Sequence, residues 1–392
     1  MRKVLFLFAD AAVIVGGVIG AGFASGEEVA LYFYGKNALL SSAVAFVVFF
    51  AVFYVFLSIG RKFAELENNV GNSLADKPNP FVAKASRVFL NFNYFAVLCS
   101  MLAGANVTLS ALFATRSIHF VFGAATAAIC GLILFFDMKG IRRFSNFVVP
   151  FIVVLIVSVC LLNSEYGTVQ GKGGAGSAFL YVSMNCVIMS GVLLGIGGER
   201  KANGFWLSLI SSFVLSALLY LIILRVNSVD SSVTMPLLYY AYLVGSETGA
   251  LMSVVIYFSI VTTVIACAYP LVEWLTPLLK SKVFALIAVF CSALAVSLVG
   301  FSGIVGYVYP LISVLGVLVI ATYAAFLIYI KRSERKKNRA PSKGALFSVV
   351  FPLYKEFFHQ GDDQIHDCGE YAQNYGTRHH QIQLEYLPAV ND

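Results

Sequence analysis

The stretch that decides the fold is Gly16-Gly17-Val18-Ile19-Gly20-Ala21-Gly22-Phe23-Ala24-Ser25-Gly26-Glu27-Glu28, inside an apolar run over residues 4–34. Each glycine in a helix interior costs about 1 kcal/mol relative to alanine. Each carboxylate near the centre of a membrane helix costs about 2.5–3.5 kcal/mol on insertion scales. Because a plain membrane anchor would carry neither burden, the stretch predicts a helix that breaks at membrane depth.

A broken helix exposes backbone N–H and C=O groups, and membranes tolerate such groups only where they line a cavity or are buried in protein. There the carbonyls coordinate cations and the amides hold a carboxylate or another polar group of a solute. Two alternatives stay open: small-residue packing between helices, and dipole pairing of the carboxylates at a helix N-terminus. The predicted substrate contacts on this stretch are Gly20, Ala21, Gly22, Ser25, Gly26, Glu27 and Glu28.

The composition makes the bilayer the solvent of this chain. Of its 392 residues 59% are hydrophobic and 12% are charged, whereas soluble domains have about 25% charged residues. The apolar runs are continuous over about 20 residues, a length that fits transmembrane helices and not barrel strands. We predict an all-α transmembrane fold of about ten helices, over residues 4–34, 38–60, 86–114, 118–136, 144–163, 178–198, 204–224, 248–272, 282–299 and 303–330.

The basic residues predict the orientation. With these spans, 23 of the 27 Lys and Arg residues fall on the side of both termini and four on the other side. Positively charged loops stay in the cytoplasm, so the sequence predicts a multi-pass protein of the cytoplasmic (inner) membrane with both termini inside. The net charge of +7 reflects this asymmetry. We therefore expect the lipid bilayer and a small-molecule solute as partners, and no nucleic acid.

The chain divides at a glycine-rich polar loop, residues 164–177, into two sets of five helices, residues 1–163 and 178–330. Because five is odd, the second set must run in the opposite sense to the first, as an inverted repeat requires. Residues 331–392 form a basic and polar tail, for which we expect a cytoplasmic position and largely disordered structure.

Three segments carry a resemblance to a known family. The segment Ile19-Gly20-Ala21-Gly22-Phe23-Ala24-Ser25-Gly26-Glu27-Glu28 resembles the first-helix signature of the YkvI-like membrane proteins. Leu180-Tyr181-Val182-Ser183-Met184-Asn185 and Gly300-Phe301-Ser302-Gly303-Ile304-Val305-Gly306-Tyr307-Val308-Tyr309-Pro310 are similar to that group as well. The group is placed with the amino acid–polyamine–organocation transporters. The resemblance implies the five-plus-five LeuT-type fold, with discontinuous helices 1 and 6.

The resemblance also implies a cation site between helices 1 and 8. Aligned on the glycine break, the carbonyls would belong to Gly16 and Ile19, and the hydroxyls to Ser259, Thr262 and Thr263. Oxygen-only ligands suit a hard cation such as Na⁺. The rival role of the two threonine hydroxyls is to bond back to carbonyls of their own helix. Three alternatives stay open for coupling: Na⁺ at this site, protons through Glu27 or Glu28, and no coupling ion. We expect no other cofactor.

Further substrate contacts are predicted outside the first helix. Span six, the partner of span one, contributes Tyr181, Ser183 and Asn185, and span three contributes its deepest amide, Asn106. Helix-to-helix hydrogen bonding is the rival role for such amides.

The function that these features predict is secondary active transport, as a cation symporter of a small, amino-acid-like solute. The alternative is a ligand sensor or receptor subunit that keeps the fold without transporting. An enzyme is not expected, since the sequence has no HExxH motif and no Ser/His/Asp arrangement, and no histidine lies deep in a span.

Overall fold

The computed structural model describes residues 2–70, 80–115, 120–136, 141–162, 172–199 and 203–335, and its regular elements in these ranges are helices. The helices, in chain order, are α1 (Arg2–Val18), α2 (Ala21–Ser25), α3 (Glu27–Phe33), α4 (Ala38–Val70), α5 (Pro80–Leu112), α6 (Val121–Phe136), α7 (Ile141–Leu162), α8 (Ala175–Glu199), α9 (Gly204–Val226), α10 (Pro236–Val244), α11 (Ser246–Leu279), α12 (Lys282–Ser297) and α13 (Phe301–Arg335).

Six segments of the described chain are long and apolar enough to cross a bilayer, which confirms the predicted all-α, multi-pass architecture. They lie in α4, α5, α8, α9, α11 and α13. The apolar parts of α6, α7 and α12 are shorter, and the first predicted span is divided among α1, α2 and α3. The count of ten crossings and the inverted repeat stay predictions, as do the domain boundaries.

Glycines bring the helix backbones of α4 and α8 into direct contact. A methyl group on Gly197 of α8 would overlap the carbonyl of Leu57, and one on Gly60 of α4 would overlap the carbonyl of Leu194. Lipid tails are as apolar as side chains, so membrane helices associate through such close packing of small residues. This crossing holds α8 against the first half of the chain.

The predicted break in span six is wrong. Residues 175–199 form one continuous helix, α8, although Gly191, Gly195, Gly197 and Gly198 lie in its second half. Gly197 explains part of this difference, because its missing side chain serves the contact with α4. A glycine required for close packing keeps its helical hydrogen bonds, and so its presence alone does not mark a break.

Two other features differ from the sequence-based boundaries. The predicted loop over residues 61–87 is helical in large part, since α4 continues to Val70 and α5 begins at Pro80. The short helix α10 was not predicted; it starts with Pro236 at its first position, which is a common helix start. The predicted tail begins inside α13, and its residues 336–392 lie outside the described ranges.

Candidate solute and ion site

The first apolar run breaks at Ile19 and Gly20. Ile19 N–H still donates to the Val15 carbonyl (2.9 Å), but Gly20 N–H donates to Val18 (2.9 Å) and not to Gly16. Gly20 has extended backbone angles, φ −82° and ψ −177°, and α2 begins directly after it. The Gly16 carbonyl therefore loses its usual donor four residues on, and the amides of the first turn of α2 have no preceding helical carbonyls.

A second hinge follows at Gly26, between α2 and α3. Its φ of +81° lies in the left-handed region that glycine adopts without strain. The position is also crowded: a methyl group there would lie 3.2 Å from the backbone nitrogen of Leu237, in the first turn of α10. Two interruptions six residues apart thus turn the opening span into three short helical pieces.

Glu27 has a structural partner. Its Oε2 accepts a hydrogen bond from the backbone N–H of Met235 (2.8 Å), the residue that precedes α10. Both residues are buried. The carboxylate therefore satisfies a backbone amide at the start of a helix, where a negative charge is favourable. Glu27 joins the broken first span to α10, so substrate contact through this carboxylate is no longer its simplest role.

Glu28, the next residue, has no such partner. Its side chain is 7% exposed, and neither carboxylate oxygen makes a hydrogen bond or ion pair anywhere in the described chain. The side chain folds back over α2 and contacts Gly22, where a methyl group would overlap the carboxylate. The missing side chain of Gly22 thus lets a carboxylate lie against the break.

Open space lies at the break itself. A methyl group built on Gly20 would meet no atom within 4 Å, whereas one on Gly17 would overlap Met189 of α8. The packing is therefore tight one turn before the break and loose at it. This local space is what a solute or an ion would need in order to reach the unbonded backbone groups.

Three buried tyrosines lie within electrostatic reach of Glu28: Tyr32, Tyr181 and Tyr309. The hydroxyl of Tyr32 is 2.5 Å from the Ser313 hydroxyl, and that of Tyr309 is 2.9 Å from the Ser100 hydroxyl. The buried Tyr181 hydroxyl makes no hydrogen bond of normal geometry, and its ring lies edge-on to Tyr32 at 5.6 Å. The sequence had indicated only Tyr181. Tyr309 lies in the third family-like segment, which was the signal that could have found it.

The α8 residues lie level with the break. Met189 lies against Gly17, and Met184 accepts from the Tyr32 hydroxyl (3.5 Å), so the turn between them faces the interrupted region. Asn185 is in this turn and donates to the Tyr181 carbonyl (3.0 Å). Ser183 donates to the Phe179 carbonyl (2.7 Å) in its own helix. Both side chains therefore bond within α8, and their contact with a solute stays a prediction.

Asn106 has the rival role predicted for buried amides, hydrogen bonding between helices. Its Oδ1 accepts from the backbone N–H of Gly123 in α6 (2.7 Å), and its Nδ2 donates to the Leu102 carbonyl (3.4 Å). Both ends of the amide are engaged: the Oδ1 bond joins α5 to α6, and the Nδ2 bond stays within α5. The depth of Asn106 in its span had suggested substrate contact, but a buried amide needs partners wherever it lies, and here a neighbouring helix supplies one.

The hydroxyls of the predicted cation site make the local bonds of their rival role, hydrogen bonding within their own helix. Thr262 and Thr263 both donate to the Ser259 carbonyl, at 2.9 and 2.8 Å, and α11 packs against α2. A hydroxyl that donates its proton to its own helix keeps two lone pairs, so these bonds direct oxygen and not hydrogen outward. Whether they meet the carbonyls of Gly16 and Ile19 at one ion stays a prediction.

Ser25 belongs to the local framework. Its hydroxyl donates to the Gly22 carbonyl (3.1 Å) and accepts weakly from the Glu27 amide (3.4 Å). It therefore stabilises the turn between α2 and α3. Ala21 and Gly22 are buried around the break.

Comparison with known sequences gives little. No protein-family model matches the chain. The Bacillus subtilis (strain 168) protein YyaD, itself uncharacterised, is 25% identical over 198 residues. The match covers 49% of this chain and 56% of YyaD, so the chain aligns with little more than half of that relative.

Several solved structures match this chain over most of its length. The match to the inward-facing structure of Mhp1 spans 93% of this chain and 91% of the Mhp1 chain, with a TM-score of 0.58 and 12% identity. The match to MhsT, crystallised with L-phenylalanine, spans 92% of this chain and 98% of the MhsT chain, with a TM-score of 0.56 and 12% identity. A third match is to Mhp1, described as a nucleobase-cation-symport-1 family transporter, in a closed conformation with bromovinylhydantoin bound. It spans 94% of this chain and 92% of the Mhp1 chain, with a TM-score of 0.51 and 14% identity. The chain therefore shares the LeuT-type fold.

Proposed function

We propose that this protein is a secondary active transporter, a cation symporter that carries a small, amino-acid-like solute across the cytoplasmic membrane. The observation that carries the proposal is the interrupted first span, with an unbonded carbonyl at Gly16, open space at Gly20 and an unpaired carboxylate at Glu28. A protein that only anchored in the membrane would have no need of this arrangement at depth. The fold shared with a transporter, Mhp1, supports the same conclusion.

The proposed coupling ion is Na⁺, held by the carbonyls of Gly16 and Ile19 and the hydroxyls of Ser259, Thr262 and Thr263. Ion binding would hold the broken span against α11 and favour the conformation that accepts the solute. Solute and ion together would then permit closure and opening to the other side. Coupling in this scheme is the difference in ion affinity between the two states.

The experiment compares Na⁺ with K⁺ at equal ionic strength. A ligand that binds only the folded state raises the thermal stability of detergent-solubilised protein by mass action. We expect Na⁺ to raise the melting temperature of the wild type, and proteoliposomes to take up labelled amino acids faster with an inward Na⁺ gradient. The Thr262→Ala, Thr263→Ala double variant should lose both effects.

Thr276→Ala is the matched control, because Thr276 makes the same kind of bond within α11, to the Val272 carbonyl (2.7 Å), without belonging to the proposed site. It should respond to Na⁺ as the wild type does. Equal uptake with and without the gradient, unaffected by the double substitution, would refute sodium coupling. Absence of uptake of every solute would refute transport.

A further inference from the structure

We propose that Glu28 binds the ammonium group of the solute, so that the cargo must carry an amine. This inference rests on the proposed function and adds the chemical class of the substrate. It begins from the contrast between two adjacent carboxylates: Glu27 is satisfied by the Met235 amide, whereas Glu28 has no hydrogen-bond or ionic partner in the described chain.

A buried carboxylate without a partner is costly, and proteins pair or neutralise such charges. The position of Glu28 is nonetheless well defined, because its carboxyl end fills the place of the missing side chain at Gly22. Gly20, two residues before Gly22, leaves open space at the break. The geometry therefore holds an unpaired carboxyl group beside the break, where an ammonium group would supply the missing partner.

The surroundings favour an ammonium over a metal ion. Tyr32 and Tyr181 lie within electrostatic reach of Glu28, and aromatic side chains attract organic cations. Divalent ions need several oxygen ligands, often more than one carboxylate. In the described ranges no group of three or more acidic, His or Cys side chains could hold a metal. A single carboxylate beside aromatic rings matches an amine better.

The test uses matched probes that differ only in charged groups. For each side chain of a panel of amino acids, the probes are the amino acid, the corresponding amine and the corresponding acid without its amine. Melting temperatures of the full-length protein in detergent are measured with each probe. We expect stabilisation by one or more amino acids, weaker stabilisation by the matching amine, and none by the matching acid.

Glu28→Gln keeps the shape of the side chain and removes its charge. It should weaken the binding of the stabilising amino acid by about thirtyfold, as loss of one partner of a buried charge pair does. Glu247→Gln, at an exposed glutamate in the first turn of α11, is the matched control and should bind as the wild type does. If Glu28→Gln does not fold, Glu28→Asp retains the charge, and the wild-type probe series still decides.

Three results would overturn the inference: equal stabilisation by acids that lack the amine, undiminished affinity in Glu28→Gln, or no amine-dependent stabilisation across the whole panel. A site that only takes up a proton would give the third result together with stabilisation at low pH. Failure of the proposed function looks different. Amine-dependent binding without accumulation in proteoliposomes would refute transport and leave the amine site intact. Accumulation of a solute without an amine would support transport and refute the amine site.

Discussion

Because Glu28 lies directly against Gly22, a methyl group at position 22 should displace the Glu28 side chain and destabilise the protein. In Gly22→Ala the new methyl carbon would lie 2.5 Å from Cδ and 2.6 Å from Cγ of Glu28, and would overlap one carboxylate oxygen as well. These distances are too short for nonbonded carbon atoms, so the Glu28 side chain must rotate away from the break. Overpacking of this kind costs about 1–3 kcal/mol.

The same substitution gains helix propensity in α2, by up to about 1 kcal/mol. We therefore expect a net destabilisation of about 0–3 kcal/mol for Gly22→Ala alone. In a Glu28→Ala background the clash is gone and only the gain remains, so Gly22→Ala should then be stabilising. The coupling energy between the two positions should be about 1–3 kcal/mol.

The assay is the free energy of unfolding in mixed detergent micelles, measured for the four members of the double-mutant cycle. Gly20→Ala is the control, because a methyl group there meets no atom within 4 Å and the backbone angles suit any residue. It should show little change in stability. Additive effects of Gly22→Ala and Glu28→Ala, within about 0.5 kcal/mol, would refute the packing of the carboxylate on the glycine.

Three further predictions use the same measurement of unfolding free energy. Gly197→Ala should destabilise by about 1–3 kcal/mol, since its methyl group would overlap a carbonyl of α4; Gly176→Ala, which meets nothing within 4 Å, should not, and equal effects would contradict the crossing. Gly26→Ala should cost about 1–2 kcal/mol because of its left-handed backbone, and an unchanged stability would argue against the second hinge. Glu27→Ala should cost about 1–3 kcal/mol by leaving the Met235 amide unbonded, whereas Glu27→Gln keeps an acceptor; identical losses in both variants would count against that hydrogen bond.

Adjacent residues with the same chemistry show where sequence-based prediction stops. Glu27 and Glu28 could not be told apart in the sequence, yet one accepts a hydrogen bond from the start of α10 and the other lies unpaired on Gly22. The difference depends on α10, a helix that the sequence did not predict; Met235, the residue before it, lies 208 residues after Glu27. Asn106 and Asn185 were likewise equivalent candidates, but Asn106 bonds to a neighbouring helix, whereas Asn185 bonds within its own.

The sequence by itself determined that the chain is a helical membrane protein and that its first span is interrupted near Gly20. These properties follow from local quantities: the length of apolar runs, and the cost of glycines and carboxylates within one run. The tertiary structure alone decided that α8 is continuous despite its glycines, and which of the two carboxylates lies unpaired on Gly22. A glycine that breaks a helix and a glycine that lets two helices touch are identical in the chain, and only the neighbouring backbone distinguishes them.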